Sequence, residues 1–219
     1  MAAKFLAIEG LDGSGKQTQT ALLTAELKAR GFDARSISFP RYGETSAVLV
    51  EDYLHGGFGD KADDVNAYAA SSFFAADRVA SFLKYWHADF ESADFLIADR
   101  YSTSNLIHQL AKLPEHEWGD FAEWLLDYEF NRLGLPAPSK VIYLRVDPAV
   151  SQRLLESRYK GDKSKRDIHE RNLNYLERSQ RAAEWCVKKL GWESIDCVEH
   201  KELRTPDSIH TELIARAGF

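Results

Sequence analysis

Residues 9–18, Glu9-Gly10-Leu11-Asp12-Gly13-Ser14-Gly15-Lys16-Gln17-Thr18, follow the short apolar run Phe5-Leu6-Ala7-Ile8 and open a long helical pattern. Strand, glycine loop and helix in that order form a P-loop. The glycines let backbone N–H groups converge on an anion, and the helix N-terminus adds partial positive charge. Gly10, Gly13, Ser14 and Gly15 thus line a phosphate cradle, and Lys16 reaches the β- and γ-phosphates. The pattern G-x-x-x-x-G-K-[ST] holds through Lys16 and fails at its last position. Gln17 stands where a Ser or Thr would ligate magnesium, and Thr18 follows one place later. The bland alternative, a tight glycine turn, leaves Lys16 and the strand–helix context unexplained.

Apolar runs alternate with helical patterns along the rest of the chain. The pattern predicts strands at 4–9, 34–39, 94–98, 140–146 and 192–198. Several are nearly continuous apolar segments, as parallel strands buried on both faces are. Helices are predicted at 15–30, 45–54, 64–90, 102–112, 117–133, 148–158, 168–190 and 206–217. Strand–helix alternation with long crossovers implies an α/β fold, a five-stranded parallel doubly wound sheet with helices on both faces. Its ligands belong at the carboxyl ends of the strands. No repeat or linker divides the chain, so 1–219 reads as a single P-loop domain. At 219 residues it is long enough to bury a sheet on both faces.

A net charge of -6 argues against a general nucleic-acid or anionic-membrane binder. Positive charge for phosphates must therefore be local. It concentrates at 158–166, Arg-Tyr-Lys-Gly-Asp-Lys-Ser-Lys-Arg. This run is either a solvated loop or, between two helices of a P-loop protein, a cationic lid over transferring phosphates, at about 158–168. Cys186 and Cys197 have no metal-like spacing and suggest no disulfide framework, which fits a reducing cytoplasm. Neither a signal-peptide pattern nor a membrane-length apolar run is present.

Three clusters fall at predicted strand ends or on adjoining helices. Phe39-Pro40-Arg41-Tyr42 follows the second strand. Phe74 and Arg78 are four apart in a long helix, so they share a face; a ring to stack a base and a guanidinium to take its phosphate suit that face. Core phenylalanines with a snorkelling arginine are the alternative. Asp99-Arg100-Tyr101 ends the third strand and leads to Ser104, Asn105, His108 and Gln109. A carboxylate at Asp99 can hold magnesium or its waters, and Arg100 is a natural phosphate clamp. Asn105 and Gln109, four apart, offer primary amides suited to the N3–H and O4 edge of a pyrimidine. A structural Asp99–Arg100 ion pair and plain surface amides remain the alternatives.

With these motifs in view, the whole chain resembles the thymidylate kinases, P-loop nucleoside-monophosphate kinases. The resemblance rests on the glycine loop with its internal Asp12, on Phe39-Pro40-Arg41-Tyr42-Gly43, on Phe74 with Arg78, on Asp99-Arg100-Tyr101, and on Asp167-Ile168-His169-Glu170. The Phe-Pro-Arg-Tyr-Gly run and the non-hydroxyl Gln17 look most like the mycobacterial type. The resemblance implies transfer of the γ-phosphoryl group of ATP to dTMP, with Mg2+, in a cytoplasmic homodimer. It implies that Asp12 lies near the acceptor 3′-hydroxyl and the metal, that Phe39 packs on the deoxyribose, and that Tyr42 lies at the acceptor phosphate. Phe74 would stack on thymine, Arg78 and Asn105 would hydrogen-bond it, and Arg100 would hold the phosphate. His108, Gln109 and Asp167 complete the implied dTMP set. Lys16, Gln17, Thr18 and Arg153 face ATP, and Asp12, Asp99 and Glu170 hold the metal directly or through water.

Two positions depart from the family pattern. His108 and His169 stand where tyrosine is common, and His108 replaces a ring that crowds the sugar 2′ position. Gly13 replaces the P-loop arginine of the eukaryotic type, so the catalytic cation should come from the lid: Arg166, or one of Arg158, Lys160, Lys163 and Lys165. Asp12, Lys16, Arg100 and Arg166 then carry the reaction, with no strict need for a base because the attacking phosphate oxygen is already anionic. The nearest rival is a kinase of another nucleoside monophosphate. A P-loop switch is a rival of another class, although the guanine motif Asn-Lys-x-Asp is missing.

Overall fold

A computed structural model describes residues 2–158, 168–169 and 173–218. Five strands, β1 (Lys4–Gly10), β2 (Ala34–Ser38), β3 (Phe95–Asp99), β4 (Lys140–Arg145) and β5 (Glu193–Asp196), form one parallel sheet in the order β2-β3-β1-β4-β5. All five predicted strands are present. A small antiparallel hairpin, β6 (Val198–Glu199) with β7 (Glu202–Leu203), was not expected. Its turn runs through His200 and Lys201, both at positive φ.

The side-chain alternation of β1 explains the two-sided core. Phe5 and Ala7 join Leu96, Ala98 and Tyr143 on one face, under Leu106, Leu110, Phe121, Leu125 and Cys186. These belong to α5 (Thr103–Leu110), α6 (Trp118–Leu126) and α8 (Leu173–Leu190). Leu6 and Ile8 join Ile97, Ile142 and Leu144 on the other face. There they meet Leu23 and Leu27 of α1 (Lys16–Ala29) and Ile209 and Leu213 of α9 (Pro206–Ala217). The chain runs from β1 to β2 and β3 on one side, then crosses to β4 and β5 on the other. Loops therefore diverge at the carboxyl end of β1, where α/β sheets bind ligands.

Three helices differ from their sequence prediction. The predicted 64–90 helix begins as α3 (Ala67–Ser81), capped by the Asn66 side chain on Ala69 N. It then widens into a π turn over Phe82–Trp86 before α4 (His87–Ser92). The predicted 117–133 helix likewise leaves α6 for a π turn at Asp127–Arg132. Between β2 and α3 lies α2 (Val48–Leu54), and α7 (Pro148–Arg158) follows β4. Residues 168–169 form a turn rather than the start of a helix. Residues 159–167 of the proposed lid, with Arg166 and Asp167, and Glu170 lie outside the described residues. Among the described residues, no helix is long and apolar enough to cross a membrane.

Candidate active site

The glycine loop turns at Gly13 and Gly15, with φ of 80° and 86°. Gly10 has no room for a side chain: a Cβ there would lie 2.9 Å from the Leu144 carbonyl. Gly15 precedes α1 without any side-chain capping bond, so the first N–H groups of the helix remain available for an anion. Lys16 is buried and donates to the Leu11 carbonyl at 2.9 Å. Burial, together with nearby Arg100, lowers its ammonium pKa to about 8 despite Asp12, Asp99 and Glu9. Ser14 Oγ is sealed without a partner among the described residues. Gln17 and Thr18 are exposed on the first turn of α1.

Asp12 leaves the same loop toward Arg100, and the two form an ion pair. Burial alone would raise the Asp12 pKa; Arg100, and then Lys16, outweigh it and hold the carboxyl well below the usual range. Ser151 of α7 donates to the Asp12 carbonyl and so ties the loop to that helix.

Arg100 has a positive φ of 67°, a sparsely allowed region for a residue with a Cβ. Glu9, the last side chain of β1 on the α5 face, holds it there. Fully buried, the Glu9 carboxylate accepts from Tyr101 N at 3.0 Å and from Thr103 and Ser104 hydroxyls at 2.6 Å each. Burial raises the Glu9 pKa, with Arg100 and these hydrogen bonds opposing. Glu9 lies outside the phosphate-cradle pattern itself, and its signal in the sequence is an acid that follows the apolar run Phe5-Leu6-Ala7-Ile8.

A cleft opens beside this ion pair. Asp12, Arg100, Ser104, Asn105 and His108 line one wall, and Phe39, Pro40, Tyr42, Phe74 and Arg78 line the other. It thus gathers every described residue of the implied dTMP set except Gln109. That residue is fully buried, outside the cleft, with both amide atoms unpaired among the described residues. The helical pitch explains the miss. Ser104, Asn105 and His108 share the cleft face, and Gln109 lies roughly 100° past His108.

The Phe39 ring is buried against Trp86 and Tyr101, at 6.0 and 5.8 Å. Asp77 of α3 holds the loop that follows, accepting from Arg41 N at 2.9 Å and Ser46 Oγ at 2.7 Å. Tyr42 is 61% exposed at the mouth. Phe74 meets Tyr53 edge to face. Arg78 is bound by Glu129 through two bonds, Nε to Oε2 at 2.6 Å and Nη2 to Oε1 at 2.5 Å. Its charge is thereby balanced, which explains why a phosphate partner, expected from helix spacing alone, is unnecessary. His108 stacks on His169 at 5.3 Å, and its Nε2 lies 3.3 Å from Arg100. Burial, then Arg100, pushes the His108 pKa down to about 3, so this imidazole is neutral.

Asp99 is half-buried at the end of β3, and its carboxylate has no hydrogen bond to a described residue. No group of three or more His, Cys, Asp or Glu side chains among the described residues forms a metal cage. Arg153 of α7 instead donates to the Lys201 carbonyl at 2.8 Å, in the β6–β7 turn.

A phosphate cradle on β1 and α1, joined through an ion pair to a second cleft with polar and aromatic walls, defines a P-loop phosphotransferase. The thymidylate kinase family model matches residues 8–203, and the chain belongs to that family. The thymidylate kinase of Mycobacterium tuberculosis is 35% identical over 176 residues, 80% of this chain and 81% of that protein. The Schizosaccharomyces pombe enzyme is 25% identical across 96% of this chain and 90% of its own length. Among solved structures, a thymidylate kinase from Candida albicans superposes with a TM-score of 0.70, covering 99% of this chain and 92% of that one. At 22% identity that likeness speaks to the fold alone.

Proposed function

We propose that the chain transfers the γ-phosphoryl group of ATP to dTMP, giving ADP and dTDP for dTTP synthesis. The observation that carries this reading is the Asp12–Arg100 pair, which links the glycine loop to the adjoining cleft. ATP phosphates take the loop and Lys16, and Arg153 lies on the donor side. The acceptor phosphate takes Arg100 at the mouth beside Tyr42, the sugar packs against Phe39, and thymine lies between Phe74, Arg78 and Asn105. Asp12 stays ionised and orients Arg100. Catalysis is then positioning and charge neutralisation. The chain acts as a single domain whose lid, about 158–168, brings the further cation, Arg166 or a neighbour, and Asp167.

Kinases of this family generally need a divalent metal, and we assign Mg2+. The donors suit it: magnesium takes one or two carboxylates plus substrate phosphates rather than an all-protein cage. Asp99, whose carboxylate has no hydrogen bond to a described residue, Asp12, and Glu170 in the undescribed segment would hold it. Bound there, the ion would offset charge on the phosphates. A cytoplasmic homodimer completes the proposal, supported by the resemblance and by Tyr68 and Leu83, apolar side chains left exposed on and beside α3.

A panel of monophosphates in a coupled ADP-release assay tests the reading. dTMP should exceed dCMP and dGMP in kcat/KM by at least ~100-fold, because a wrong base leaves buried polar groups unpaired. Equal turnover of dCMP, or ATP hydrolysis indifferent to any acceptor, would reject it.

A further inference from the structure

We propose that Glu129 is a positioning residue that sets the polarity with which the cleft reads a base edge. The inference rests on the acceptor reading above and adds a residue behind the cleft wall.

Glu129 is fully buried although it lies in a helical stretch whose neighbours Tyr128 and Phe130 are half-buried. It comes four residues after Leu125 and so continues the buried face of α6, inside the π turn at Asp127–Arg132.

Its carboxylate binds both polar residues of the cleft's inner end. Oε2 and Oε1 take Nε and Nη2 of Arg78, at 2.6 and 2.5 Å. Arg78 Nη1 makes no hydrogen bond to a described residue, so it is the guanidinium nitrogen left for a ligand. Oε1 also accepts from Asn105 Nδ2 at 3.2 Å, and the Ser71 carbonyl accepts from the same nitrogen at 3.4 Å. Both partners can only accept. The Asn105 atom facing them must therefore be the amide nitrogen, which turns Oδ1 away as an acceptor. Arg78 and Asn105 both line the cleft.

The cleft thus presents one fixed donor and one fixed acceptor. Thymine offers the complement, an O4 acceptor beside an N3–H donor. Cytosine offers the same two positions with donor and acceptor exchanged. A free asparagine amide could flip by 180° and serve either base; one held by a carboxylate cannot. Discrimination then comes from an acceptor-only group one step removed from the ligand, and a site built this way leaves buried groups unpaired with the wrong base.

The test uses the full-length chain and kcat and KM for dTMP and dCMP, with thermal unfolding measured alongside. Glu129→Gln replaces the nearer acceptor-only group by an amide that donates or accepts, so only the long 3.4 Å contact to the Ser71 carbonyl still biases the Asn105 amide. The dTMP-to-dCMP ratio of kcat/KM should fall by at least about tenfold, chiefly through a higher KM for dTMP. Glu129→Asp, which keeps the carboxylate, should restore part of the ratio, and carries the test if Glu129→Gln does not fold. A ratio unchanged within about twofold in the folded variants, with both substrates impaired alike, would overturn the proposal and leave Glu129 a purely structural group. A wild-type enzyme without preference for dTMP would overturn it through the acceptor reading itself, a result visible before any variant is made.

Discussion

Replacing Glu9 tests whether a sealed carboxylate holds Arg100 in place. Three donors converge on it: Tyr101 N at 3.0 Å and the Thr103 and Ser104 hydroxyls at 2.6 Å. In Glu9→Ala the two hydroxyls can rotate to other acceptors, but the Tyr101 N–H cannot. Tyr101 is fully buried, so that donor is stranded, at about 1–3 kcal/mol. The space left by the carboxyl and the positive φ of Arg100, no longer clamped, add to this. A net loss of about 3 kcal/mol is reasonable once relief from burying a charge is subtracted. At roughly 2–4 °C per kcal/mol for a chain of this size, Tm should fall by about 6–12 °C. Glu9→Gln keeps an acceptor for Tyr101 and should unfold near the wild type. The pH dependence separates the two ideas in this argument. Burial raises the Glu9 pKa in the folded state, so its stabilising contribution is full below the unfolded value of 4.5 and is lost as pH rises through the folded value. The wild-type advantage over Glu9→Gln should therefore be greatest at and below pH 4.5 and shrink as pH rises above it, as read by circular dichroism melts. An unchanged Tm in Glu9→Ala, or an advantage that grows with pH, would refute the reasoning.

Two further outcomes follow from the glycine loop. Lys16→Met should abolish phosphoryl transfer yet raise Tm at pH 7 by about 2–4 °C, because burial holds the folded ammonium near 8, below its ordinary 10.5. The wild type should gain on this variant as pH rises from 8 to 10.5, and melts across that window check the sign. Gln17→Ala should retain activity and an ordinary magnesium dependence, because the Gln17 side chain is exposed, whereas Asp99→Asn should lower kcat by about 10²-fold or more. A magnesium titration of kcat decides this, and loss in the first with retention in the second would reverse the assignment.

Much of this molecule was legible along the chain because the relevant physics is local. A buried parallel strand has to be an apolar run, so all five strands could be located from 4–9 to 192–198. A phosphate cradle needs positive φ at fixed offsets, so Gly13, Gly15 and Lys16 announced themselves. Asn105 was readable as a polar helical position, although the spacing paired it with Gln109. The sequence by itself therefore determined the sheet, the loop and the kind of ligand they hold. The tertiary structure decided which side chains complete the site, since that depends on what packs against each face. Gln109 repeats Asn105 one turn later but faces the interior, because the cleft centres on His108. Glu129 continues the buried row of Trp118, Ala122 and Leu125, but nothing in that spacing told that it would meet Arg78 and Asn105, fifty-one and twenty-four residues away in the chain. Glu9 ends a strand beside the motif, yet its role exists only where α5 begins across from it. Pairings between groups this far apart leave no periodic trace in a sequence, because nothing local requires them.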